Sequence, residues 1–440
     1  MPNYKVLTSL GLVFMAITLS AQNNNLSPFS RFGLGDLQNL GASSQRSLGG
    51  TGFALTHDRQ INLLNPNAAL ELPGPIFNVN LLSNFTTISG KDFERKQSYT
   101  GLNSVAFAFP IKKMVAFQFG LRPYSSVNYD LNSTTTIGQD TVATNYQGTG
   151  GLNDAFLAVS HDFLHKKDST TLALSIQIDH LFGPIRQNRT LYTDVVDNGY
   201  GIKDTRLSNL SSTSPSFAAL YKKYIGKDDA IQISLAANYQ PKMKLSGNQE
   251  LFSYTFLRNF GGLESGKDTI NYSASEKNTV SVPQKLGFGI AFAYKDKLQV
   301  GMDYSVQNWS EFTQNLSTTK LEGVFTDLRR LSFGAHYTPS LNILFNAPIW
   351  NFITYSAGVW TSKGYLEYNG AELEEFGTSF GLRIPFRKSR SNSAIQIGME
   401  YSLRGSVESN LLKEQNTRLI FGLSLSPNFI DRWFYKRKYD

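Results

Sequence analysis

The chain has 440 residues and a formal net charge of +8. Hydrophobic residues make up 41%, below the roughly 45–50% of soluble domains, yet aromatics reach 13% and charged residues fall to 17%, against about 25% in soluble domains. The absence of cysteine excludes a disulfide framework and a cysteine-ligated metal. The mean hydropathy of −0.25 excludes a helical membrane bundle, and the aromatic, weakly charged composition excludes disorder. A β-barrel remains, because its lipid-facing and lumen-facing residues alternate and the average conceals both.

Residues 1–21 read as a secretory signal peptide. Lys5 supplies the positive start, Val6 to Leu19 is mostly apolar, and Leu19-Ser20-Ala21 ends on a small residue. The run falls short of the ~20 apolar residues that a spanning helix needs, which weighs against an anchor. Residues 22–75 are rich in Gly, Asn and Ser and lack strand alternation. This segment is expected to be a hatch or plug in the barrel lumen; a periplasmic extension is the alternative.

From 76 to 427 the pattern has period two. Leu172, Leu174, Ile176 and Ile178 alternate with Ala173, Ser175, Gln177 and Asp179, and Leu298 to Gln307 and Ile395 to Arg404 repeat the theme. Successive strand side chains point to opposite faces, so each run has one greasy and one polar side. About fourteen such runs fall at 76–90, 98–110, 113–130, 151–163, 169–190, 213–225, 228–246, 277–294, 296–313, 325–340, 350–367, 371–387, 391–408 and 411–427. An even count suits a closed transmembrane antiparallel barrel. Connections alternate in length, short at Pro110-Ile111-Lys112 and Lys295-Asp296, long and polar at 131–150, 191–212 and 247–276. Short turns are expected in the periplasm and long loops outside, with both termini periplasmic.

On 286–294, Leu286, Phe288, Ile290, Phe292 and Tyr294 oppose Gly287, Gly289, Ala291 and Ala293. The bulky side suits lipid; the small side leaves interior volume for something else to fill. The inward charges Asp179, Asp303, Arg383, Glu400, Arg404 and Arg418 suit either a substrate path or ion pairs fixing barrel and plug. Within the third run, Gly120-Leu121-Arg122-Pro123-Tyr124 places a residue without an N–H in the ladder. Gly120, Arg122, Pro123 and Tyr124 are therefore candidates for a lateral gate, or merely for a bulge.

The five histidines lack a preorganised ligand set, so no metal site is expected. Gly49 to Gly52 follow no strand and make no nucleotide loop. No cofactor is expected. His180 with Ser175 is no hydrolase signature, so the chain reads as a non-enzyme. No basic and aromatic run recurs on the strands, which argues against nucleic acid. The tail 428–440, with Trp433 to Tyr439, reads as a periplasmic extension, either an interface anchor or a docking peptide.

The stretch Leu48-Gly49-Gly50-Thr51-Gly52-Phe53 through Asn65-Pro66-Asn67-Ala68 resembles the N-terminal hatch of the FadL family of outer-membrane transporters for long-chain fatty acids and aromatic hydrocarbons. Asn67 stands where that family has Ala, and His57-Asp58-Arg59 where an acidic pair is usual. Asp303, Trp309 and Phe312 resemble its Asp…Trp…Phe strand, and Ser27 to Gly35 resembles barrel proteins of Bacteroidota, PorV-like members among them. The resemblance implies a barrel of about fourteen strands, passive uptake of a hydrophobic small molecule, hatch gating and lateral release through a kinked third strand into outer-membrane lipid. It implies Gly50, Gly52, Phe53, Asn65, Pro66 and Asn67 as hatch and ligand-binding residues. The alternative is a non-transport accessory barrel with protein partners in an outer-membrane assembly or secretion complex.

Overall fold

The computed structural model describes residues 27–427 except 58, 113, 138–139, 165–168, 194–198, 227–228, 259–263, 316–323, 342–346, 369, 387–391 and 408–411. The expected signal peptide 1–21, His165 and the tail 428–440 lie outside the described residues.

Twenty strands form one sheet. A two-residue strand, β1 (Asp36–Leu37), belongs to the segment before the barrel. The wall begins with β2 (Ile76–Ser89) and β3 (Glu94–Lys112). The third crossing is split into β4 (Val115–Pro123) and β5 (Ser125–Ile137), and the fourth into β6 (Asp140–Gly150) and β7 (Asn153–Asp162). β8 (Thr170–Thr193), β9 (Gly199–Ile225) and β10 (Ile231–Gln240) follow, with β11 (Met243–Arg258) prolonging β10 and β12 (Glu264–Val282) leading into β13 (Lys285–Tyr294). The last crossings are β14 (Leu298–Gln307) with the short β15 (Thr313–Asn315), β16 (Leu328–Tyr337), β17 (Thr354–Tyr368), β18 (Ala371–Pro385), β19 (Ala394–Arg404) and β20 (Lys413–Leu425).

Each crossing pairs antiparallel with the next, and β20 pairs back onto β2 from Phe77↔Leu425 to Ser89↔Lys413. The result is a closed 14-strand antiparallel barrel. Closure satisfies the backbone without any edge facing lipid, the condition a bilayer imposes. The lipid face is the predicted one: Phe288 is 55% exposed and Phe380 52%, whereas Ala291 and Ala293 are buried.

The segments 131–150, 191–212 and 247–276 differ from expectation. Their described residues are strands, not polar loops: β8 runs 24 residues and β9 27, and β11 joins β9 from Ser246↔Ser211 to Arg258↔Gly199. Their Thr, Ser, Asn and Tyr residues favour extended backbone without the apolar contrast that reveals a strand by alternation. At about 3.3 Å per residue the β8–β9 hairpin rises roughly 40 Å beyond Ser211.

Residues 27–75 run through the interior from the long-hairpin end to the short-turn end. Ser27 donates from its backbone to Asn128 on β5 and from its hydroxyl to Glu414 at the start of β20 (2.8 and 2.7 Å), both on the long-hairpin side of the barrel. Glu71 pairs with Lys222, three residues from the end of β9 at the short-turn side. Ser27 thus lies toward the long-hairpin side and the end of β20 at the short-turn side.

A belt of glycines receives this segment. Gly301 pairs with Gly334, Gly334 with Gly358, and Gly381 with Gly398, across β14 to β19. A Cβ at Gly358 would collide with the backbone of Leu48 and Gly49, one at Gly301 with Leu55, and one at Gly381 with Ser47. The volume left by the small inner face is filled by residues 43–55.

Candidate functional site

The interior segment is held by its own side chains and by the wall. Asn65 caps a single-turn 3-10 helix, Pro66–Glu71, accepting from the Asn67 backbone at 3.0 Å, while Pro66 takes the first helical position where no N–H is needed. Asn62 donates to the carbonyls of Gly52 (2.6 Å) and Leu55 (2.9 Å), and its own oxygen accepts from the Leu64 N–H. Asn65 donates to the Phe53 carbonyl at 2.6 Å, and Asn67 to the Ala218 carbonyl on β9 at 3.2 Å. Gly52, Asn65 and Asn67 are thus buried structural residues. Gly50, Phe53 and Pro66 line cavities instead.

Asp303 on β14 accepts from the backbone N–H groups of Gly52 (2.6 Å) and Phe53 (2.8 Å). Two motifs far apart in sequence, the glycine-rich turn and the Asp…Trp…Phe strand, therefore form one joint. Trp309 and Phe312 stack at 5.3 Å and pack with Phe325 and Tyr365 in a core near the long-hairpin end. Helix α1 (Ser43–Arg46) presents Arg46 to Glu400 at 2.7 Å, with both side chains buried. Arg404 meets Asp36 at 2.6 Å, Arg418 lies 3.7 Å from both Glu375 and Glu400, and Arg383 donates to the Arg59 carbonyl. Most of the predicted inward charges tie the interior segment to the wall.

At the third crossing, pairing with β3 ends at Val105↔Leu121. Beyond it β5 bends inward, where Ser125 and Ser126 pair with β1 and the Tyr124 carbonyl accepts from Gln38. Among the described residues the outer half of β3, from Glu94 to Ser104, pairs with β2 alone. Arg122 sits at the bend with Asp154 at 2.8 Å, donates to the Leu63 carbonyl at 2.7 Å and lies over the Phe156 ring. Tyr124 is buried, and a Cβ at Gly120 would meet the Val105 carbonyl. All four gate candidates stand at this break.

Two cavities flank the interior segment. The larger, about 200 Å³, is lined by Phe53, Leu64, Trp360, Lys285 and Arg330 among others. The smaller, about 90 Å³, lies beside Arg122, Asp179, Pro66 and Asn238. Tyr124, Leu40, Phe53, Leu64 and Lys285 border both. Lys285 and Arg330 were not expected as site residues. Strand parity could have found Arg330, which shares the inward phase of Ser332 and Gly334; Lys285 lies at a strand start, where parity is poorly set. Ser175 is buried and faces inward, while His180 is exposed and bonds Thr213, so these two occupy opposite faces.

The closed barrel and its threaded interior have the fold of solved FadL-like barrels. A solved Pseudomonas aeruginosa FadL homologue is similar in fold at 13% identity, covering 90% of this chain and 99% of that one, with a TM-score of 0.53. The Ralstonia pickettii toluene transporter TbuX (16% identity, 88% and 98% coverage, TM-score 0.52) and the P. putida toluene transporter TodX (16%, 89% and 99%, TM-score 0.56) are similar as well. No curated protein matches the chain. Residues 4–440 match the BamG family, and the chain belongs to that family.

Proposed function

We propose that this barrel passively takes up hydrophobic small molecules bearing a polar end, such as long-chain fatty acids, across the outer membrane. The observation that carries the reading is the broken third crossing next to the cavities: Tyr124 lies at the break and lines both chambers. A fatty molecule need not cross water to leave such a site, because lateral release leads directly into bilayer. Lys285 and Arg330 offer positive charge to a carboxylate, and Phe53, Leu64 and Trp360 offer apolar contact. Residues 48–70 act as the gating hatch, and Gly120, Arg122, Pro123 and Tyr124 as the exit. The short-turn end faces the periplasm in this reading.

The test is uptake of a fluorescent long-chain fatty acid by cells that depend on this protein, with Arg122→Ala beside the wild type. Uptake should fall severalfold in the variant. Wild-type cells that take up no more than cells lacking the protein would end the proposal. A second reading, an accessory barrel in an outer-membrane assembly or secretion complex, is favoured by one observation: the interior segment is fastened by buried ion pairs, and the cavities left beside it are small and charged. Stoichiometric co-purification of a protein partner without bound lipid would support it.

A further inference from the structure

The wall is interrupted at a second place, away from the third crossing. β9 and β10 pair from Ile225↔Ile231 to Phe217↔Tyr239, and β9 pairs again with β11 only from Ser211↔Ser246, one residue out of step. Residues 212–216 and 240–245 make no ladder contact with each other. The cause is legible once the register is known. Two residues beyond Phe217↔Tyr239 the register sets Pro215 opposite Pro241. Neither can donate a hydrogen bond, so the ladder fails from both sides at one level. The same chemistry makes an opening tolerable, because two missing N–H groups are two fewer donors to leave unsatisfied near hydrocarbon.

Two spaces adjoin this break, the outer one lying over the last paired residues before it, 217–219 and 237–239. Inside, the 90 Å³ cavity is bounded by Ser216, Ala218, Asn238 and Gln240. Outside, a hollow of about 630 Å³ lies on the lipid face, walled by Leu174, Ile176, Leu286 and Phe288. Its floor is the cross-strand pair Ala219↔Ala237, two small residues among bulky lipid-facing neighbours. Ser175, Phe217, Ala218, Asn238 and Tyr239 line both spaces, so a single layer of residues separates them. The interior side is polar: Ser216 donates to Asp179, and the Asn238 side-chain oxygen is buried without a hydrogen-bond partner.

We propose that the Pro215–Pro241 break is a second lateral portal, where an amphiphile lays its apolar chain in the outer hollow and directs an uncharged or protonated polar end toward Asn238 and Ser216. A hydroxyl or N–H at that end would supply the donor that the Asn238 oxygen lacks, whereas an ionised carboxylate would face Asp179. The direction of traffic through the portal rests on the uptake reading; the binding site does not.

The test uses the full-length protein in outer-membrane vesicles with a diazirine-bearing long-chain fatty alcohol as probe. Adducts should concentrate severalfold on Phe217, Ala219, Ala237 and Tyr239 over the lipid-facing control Phe333, and the pair Ala219→Trp with Ala237→Trp should abolish the excess. Even labelling of the lipid face, or an excess that survives both tryptophans, would overturn the portal. A cysteine pair, Ser216→Cys with Gln240→Cys, can then lock the break in a chain that has no other cysteine. Oxidation should lower the labelling of Asn238 and of residues 63–66 reversibly; unchanged labelling there would exclude passage through the wall. Concentrated labelling without uptake by wild-type cells would leave the portal standing and remove the uptake reading, and uptake with even labelling would do the reverse.

Discussion

The two halves of the wall hold the interior segment by different means. From β14 to β20 the ladders keep register through the span, with one irregularity in β17–β18 between Lys363 and Glu367, and glycines bring the backbone of residues 47–49 against the strands. From β3 to β11 the wall is broken twice, each time beside proline, and the segment is held by long polar side chains: Arg122 on the Leu63 carbonyl, Gln118 on that of Asn62 and Asn238 on that of Leu64. Along the intact ladders the close fit comes from removing side chains, and buried ion pairs such as Arg46–Glu400 and Arg404–Asp36 fasten it. A broken ladder can bend, so the fit comes from side chains that reach. The first half is suited to anchor and the second to open.

The largest effect should come from the anchored half. Arg46→Met would leave the buried Glu400 carboxylate with only the more distant Arg418, at 3.7 Å, and breaking a buried pair costs about 3–5 kcal/mol. Heat-dependent unfolding on gels should shift to markedly lower temperature. Adding Glu400→Leu should recover much of the loss, because the uncompensated charge is then gone. If the single variant unfolds like the wild type, the ion pair does not hold this half. Next comes Gly358→Val, which forces side chain into the backbone of Leu48 and Gly49; overpacking of this kind costs roughly 1–3 kcal/mol. Limited proteolysis should then cut residues 43–55 faster while the barrel stays intact, whereas unchanged protection would show that the belt does not seat the segment.

The comparison also explains what the sequence revealed. Alternation marks one greasy face in each spanning strand, so the barrel and the lipid surface are legible residue by residue from Phe288 to Ile397. The small inner residues Gly287 and Gly289 announce a filler, and Gly52-Phe53 and Asn65-Pro66 announce its turns. The joint between Gly52 and Asp303 is not legible, because it connects positions about 250 residues apart through backbone donors that carry no side-chain signature. The long hairpins are hidden because apolar residues such as Ile202, Leu210, Phe252 and Phe256 are scattered among Ser, Thr and Asn, which blurs the contrast that alternation needs. Pro215 and Pro241 lie within two separate runs, 213–225 and 228–246, and nothing aligns them until the β9–β10 register does. Arg122 is visible as part of a kink, but its partners Asp154 and Asp179 come from two other crossings.

The smallest stability effect belongs to Pro241→Ala, and it separates the two halves most sharply. Losing a proline at a compatible position costs about 0.4–1 kcal/mol through the freedom of the unfolded chain. The restored N–H gains about 0.5–1.5 kcal/mol if it completes a ladder bond to β9. These nearly cancel, so the unfolding temperature should hardly move. What should move is access: with one donor regained, residues 212–216 and 240–245 can pair, amide exchange there should slow, and labelling of Asn238 from the lipid side should fall. The same kind of change on the anchored side has no break to close. If Pro241→Ala leaves exchange at 212–216 as fast as in the wild type, the two prolines are not what holds this wall open, and the asymmetry between the halves must rest on the third crossing alone.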